Sequence, residues 1–142
     1  MTARKYLEQV RNCDIHINNM LEELQRLRDF QWKITSTLRM DGGAGGGGYG
    51  DKIGSVIAKI VDLDREINMS IDDYVDIKRE IRRTIEGVTD PYQLDVLYKR
   101  YFLYKGFEDI SKEMHMTYRN ACYIHGRALQ SVEAILNGRG QK

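Results

Sequence analysis

Apolar residues recur along the first part of the chain at Val10, Cys13, Ile17, Met20, Leu24, Leu27, Ile34 and Leu38. The steps alternate between three and four, with Gln31 filling the one skipped position. This is a heptad seam, and it predicts a long amphipathic helix from about Thr2 to Leu38. At 1.5 Å per residue, such a helix runs about 55 Å and cannot bury its stripe on itself. A second stripe runs through Ile53, Val56, Ile57, Ile60, Leu63, Ile67, Ile71, Tyr74, Ile77, Ile81 and Ile85. It predicts another long helix over 51–86, with Asp51 as N-cap and Gly87 as stop. Residues 42–50, GGAGGGGYG, lie between the two. No strand precedes this tract and no Lys-Ser/Thr follows it, so it reads as a connector and not as a phosphate loop. Two helices of like length joined this way favour an antiparallel hairpin, whose seams pair within one chain or between chains.

The remainder changes rhythm. Asp90-Pro91 restarts a helix, with Asp as N-cap and Pro at its first position. Leu94, Leu97, Tyr98 and Tyr101 then mark an amphipathic helix of about 13 residues ending near Lys105-Gly106. After Gly106, Ile110 and Met114 line a two-turn helix, and His115-Met116-Thr117 form a turn with Thr117 as the next N-cap. The last helix carries Ala121, Ile124, Ala128 and Val132 inward, continues through Ile135 and Leu136, and is expected to stop at Asn137-Gly138. Gly126 in mid-helix calls for a packing or docking reason, since it costs about 1 kcal/mol relative to Ala. The expected fold is all-α. A helical hairpin over 1–87 precedes a C-terminal three-helix domain over 88–142, with the boundary at 87–90.

Charge adds a gradient. The whole chain is near neutral at +1, but from Lys99 onward there are 8 Lys+Arg against 4 Asp+Glu. The C-terminal third is therefore mildly basic, which is compatible with phosphate contacts. Arg79, Arg82 and Arg83 form a second basic cluster, read first as a solvated face and second as a contact for DNA or an acidic partner. Cys13 and Cys122 have no CxxC partner and read as reduced thiols. No apolar run approaches the roughly 20 residues of a membrane span. The N-terminus lacks the apolar core of a signal peptide, so the expected location is the cytoplasm.

Candidate chemistry is sparse. Cys122 and His125 lie three apart with His115 nearby, but a metal site needs more ligands. His16 reads as a polar residue beside the seam. Tyr92, Tyr98, Tyr101 and Tyr104 read as packing before base stacking. No nucleophile–base pair or carboxylate dyad stands out, so neither catalysis nor a cofactor is expected. What remains is the helix, turn and helix of 107–132. In that motif the N-terminal part of the second helix enters the major groove. Arg119 suits guanine and Asn120 adenine. Tyr118 and Tyr123 suit thymine methyls or phosphates, and Lys112, Arg127 and Arg100 suit phosphates.

The stretch RYFLYKGFEDISKEMHMTYRNACYIHGRAL resembles region 4 of sigma-70-type factors. The resemblance is carried by Arg100-Tyr101, Phe107 to Ser111, Glu113-Met114, Met116-Thr117, Ile124 and Arg127 to Leu129, and it spans roughly residues 91–136. The whole chain is also similar to small prophage proteins of Gram-positive bacteria grouped with late-gene transcriptional regulators. These resemblances imply binding to double-stranded DNA in a bacterial host cell, regulation of phage transcription and contact with RNA polymerase. The helical half would supply a homodimer or higher homo-oligomer. Two positions depart from the family. His115 stands where the turn usually has Gly, and Tyr118, Arg119, Cys122 and Tyr123 replace its usual reading face, which implies a different target sequence. A phage DNA-packaging subunit and a coiled-coil adaptor that binds no DNA are the alternatives.

Overall fold

The computed structural model describes residues 1–40 and 47–140, with side chains at 1–37 and 53–139. The fold is all-α. Its helices are α1 (Ala3–Met40), α2 (Gly47–Glu86), α3 (Pro91–Tyr101), α4 (Phe107–Glu113) and α5 (Tyr118–Gly140). Most of the 42–50 connector falls outside the described residues. Asp51 is not an N-cap, because α2 already begins at Gly47.

The chain divides into two compact units, Met1–Asp14 with Val75–Lys142, and Ile15–Tyr74. This overturns the expected boundary at 87–90, and the reason is a shared core. Ala3, Leu7 and Val10 of α1 and Ile81 and Ile85 of α2 pack with Leu97, Tyr101, Ala128 and Val132. Three short helices alone enclose little apolar volume, so the ends of α1 and α2 complete the interior. Extending the α1 seam backwards from Val10 by steps of three and four reaches Leu7 and Ala3, the signal that could have revealed this. A smaller cluster of Val96, Ile110 and Ala121 sits under α4, covered by Phe107, Met114, Met116 and Ile124.

A buried hydroxyl ties the first unit together. Thr84 Oγ1 lies 2.9 Å from the Tyr6 hydroxyl and accepts from Arg139 Nη1 at 2.6 Å. This anchor and the packing of Ile135 and Leu136 carry α5 to Gly140, past the stop expected at Asn137-Gly138. Lys78 Nζ meets Asp14 Oδ1 at 2.5 Å. In this unit, therefore, the α1 and α2 segments run antiparallel, with 6 beside 84 and 14 beside 78.

Helix boundaries follow local chemistry. Asp90 Oδ1 accepts from the backbone of Tyr92 at 2.9 Å and Gln93 at 3.2 Å, as the sequence predicts. The end of α3 comes sooner than expected, at Tyr101. Leu103 N bonds back to Tyr98 O and Lys105 N to Lys99 O, around Tyr104 at φ 58. A left-handed residue ends a helix by turning its following amide back onto free carbonyls.

Gly126 has no packing reason among the described residues: it is exposed, and a Cβ there meets nothing within 4 Å. Gly126→Ala is expected to raise unfolding stability by about 1 kcal/mol, because only the helical penalty of glycine is removed. Chemical denaturation midpoints check this, and an unchanged midpoint contradicts it.

Within the unit Ile15–Tyr74, Arg28 faces Asp64 at 3.5 Å and His16 stacks on Tyr74 with ring centroids 5.0 Å apart. The α1 and α2 portions are antiparallel here too. Leu24, Ile60 and Ile67 are buried, and most other seam residues are half-buried. Val56 is exposed and drops out of the predicted stripe. Two helices enclose only the seam between them, so Phe30 and Trp32 stay open to solvent at 50% and 70%. Among the described residues, no helix is long and apolar enough to cross a membrane.

Candidate nucleic-acid interface

The turn between α4 and α5 is held by backbone geometry. His115 adopts φ 55, the left-handed conformation in which histidine is among the more tolerated side chains. Its neighbour Met116 donates its N–H to Ser111 O at 2.9 Å. Thr117 Oγ1 then accepts from Asn120 N at 3.1 Å, capping α5. A short helix, a tight reversal and a capped longer helix result. Ile110 and Ala121 lock the two together in the smaller core.

Helical periodicity sorts α5 into two faces. Ala121, His125, Ala128 and Val132 are buried. Arg119, Tyr123 and Arg127 lie on the opposite face and are exposed, with Asn120 beside them. Thr117, Arg119, Asn120 and Tyr123 line one shallow depression; Tyr123, Ile124 and Arg127 meet Asp90, Tyr92 and Gln93 around a second. Among the described residues, neither Arg119, Arg127 nor the exposed Lys112 enters an ion pair.

Not every predicted residue joins this surface. Tyr118 is 55% exposed but its ring meets the edge of Phe107 at 6.4 Å, on the opposite side of α5 from Arg127. Cys122 is half-buried between the two faces. Arg100 is engaged elsewhere: its guanidinium covers Phe107 at 4.6 Å and donates to Lys105 O at 3.1 Å. The Arg79, Arg82, Arg83 cluster is dispersed in the same way. Arg79 pairs with Asp76 at 3.3 Å, and Arg82 lies over the Phe102 ring.

His125 is the polar residue whose burial the sequence least reveals. Its Nε2 lies 2.9 Å from the Tyr101 hydroxyl, and Phe107 packs on its ring at 4.9 Å. Burial, with the positive charges of Arg4 and Arg100, pushes its pKa down to about 4. Burial also raises the Tyr101 phenol. A neutral imidazole accepting from a protonated tyrosine satisfies both groups. This pairing separates His125 from Cys122 as a ligand set, and no cluster of three metal-binding side chains occurs among the described residues.

Comparison with known proteins returns no matching family model, no matching curated protein and no matching solved structure.

Proposed function

We propose that the chain binds double-stranded DNA sequence-specifically, with α4 and α5 as a helix-turn-helix and the N-terminal half of α5 in the major groove. The observation that carries this reading is the exposed face of Arg119, Asn120, Tyr123 and Arg127, whose charged groups enter no ion pair among the described residues, set by the capped turn at Thr117. A groove-facing helix needs long donors free of internal partners, and this one has them. Lys112, on the preceding helix, is available for a backbone phosphate. Regulation of phage transcription and contact with RNA polymerase rest on the resemblance to sigma region 4. One such module reads few base pairs, so a second copy is the proposed partner of residues 15–74, where Phe30 and Trp32 leave apolar surface uncovered.

The test is selection of duplexes from a random pool at fixed salt, followed by variants. Arg119→Ala is expected to relax base preference at one position by about 1–3 kcal/mol. Lys112→Ala is expected to weaken all duplexes alike and lower the salt slope by about 1. Failure to retain any duplex at low salt overturns the proposal.

A further inference from the structure

Away from the exposed Arg119–Arg127 face, the first unit contains a cleft of about 240 Å³ between the start of α1, the end of α3, the start of α4 and the buried side of α5. Arg4 and Arg11 reach it from α1 and Arg100 from α3, with Tyr101 and His125 in its wall and Glu8 at its edge. Positions 4, 8 and 11 share one helix face, so the sequence aims these side chains at the same space. Among the described residues, none of the three guanidinium groups forms an ion pair, although all carry full charge. Glu8 offsets only one of the three charges. Two of the arginines are already oriented by aromatic rings, Arg11 over Tyr104 at 5.7 Å and Arg100 over Phe107 at 4.6 Å.

We propose that this cleft is a binding site for a small phosphoryl anion, either free phosphate or a small phosphomonoester. Converging guanidinium groups repel one another, and a dianion between them removes that repulsion while accepting forked hydrogen bonds. The cleft is smaller than the roughly 300–1,000 Å³ of drug-sized ligand sites, so it suits a compact anion better than a dinucleotide. The His125 pKa is lowered chiefly by burial and further by Arg4 and Arg100, so the imidazole in the cleft wall is a built-in probe of occupancy. The site is independent of the proposed DNA contacts.

The test is calorimetric titration of the full chain with inorganic phosphate and, separately, adenosine monophosphate, at ionic strength held constant with sodium chloride. Saturable binding of either probe supports the site, and the tighter of the two identifies free phosphate or phosphomonoester. Arg4→Gln and Arg11→Gln are expected to weaken binding at least about tenfold each, because each removes a charged donor. Arg119→Gln is expected to leave it unchanged. Both α1 arginines are solvent-exposed, so the folded state should tolerate their replacement; helicity by circular dichroism verifies this. A second readout uses the unmodified chain: saturating phosphate should move the His125 imidazole titration, followed by NMR, to higher pH. Absence of saturable binding by both probes, or equal affinity in the two α1 variants, overturns the proposal.

Discussion

Leu7→Ala is expected to destabilise α3 and α5 by about 2–5 kcal/mol, although Leu7 precedes them by more than 80 residues. Leu7 is fully buried and belongs to the same core as Leu97, Ala128 and Val132. Truncating it removes apolar area and leaves a cavity that surrounding helices can fill only in part. Amide exchange in α5, read with denaturant midpoints, distinguishes the outcomes. If residues 88–142 were an independent domain, the α5 amides would keep their protection. Glu133→Ala, at an exposed site of α5 that takes part in neither the core nor a proposed contact, serves as comparison and should change stability by no more than about 0.5 kcal/mol.

Acidification is expected to weaken the first unit through His125. Its folded pKa of about 4 lies below the ordinary 6.5, so the folded state holds the neutral imidazole. The contribution is fully present above pH 6.5 and is lost as pH falls towards 4, because the unfolded chain binds the proton first. The limiting slope is about 1.4 kcal/mol per pH unit. The ring borders an open cleft, and solvent screening reduces the whole effect to roughly 2–3 kcal/mol. Arg4 and Arg100 add to it by repelling the imidazolium, while Tyr101 supplies the partner for Nε2 and Glu8 is the nearby carboxylate at the cleft edge. Unfolding midpoints at pH 7, 6 and 5 measure the slope. His125→Gln lacks the titrating ring, so its midpoint should fall less steeply across that window. An equal slope in the variant would assign the acid sensitivity to other groups.

Much of the local structure was legible in the chain because its causes are local. The alternation from Val10 to Leu38 and from Ile53 to Ile85 specifies helices whatever surrounds them. Asp90-Pro91 starts α3 through a side-chain cap that lies two and three residues from its donors. Thr117 does the same for α5, and His115 takes the left-handed turn that its position between two helices requires. Where the local signals erred, a longer-range contact decided. Asn137-Gly138 read as a stop, yet α5 continues to Gly140 where Arg139 reaches Thr84. Gly126 called for a packing or docking reason, and a Cβ there meets nothing within 4 Å, which removes the packing one among the described residues.

The sequence by itself determined the helical class, the caps at Asp90 and Thr117, the turn at 114–117 and the exposure of Arg119, Asn120, Tyr123 and Arg127 on α5, since these follow from periodicity and from interactions within a few positions. Tertiary structure alone decided that the beginning of α1 and the end of α2 complete the core of the C-terminal helices. It also decided that Arg100 turns away from the Arg119 face, and that Arg4, Arg11 and His125 meet around one cleft. Residues of α1 lie about 90 to 130 positions from their core partners in α3 and α5, and those of α2 about 10 to 50, and no local pattern encodes which buried faces meet.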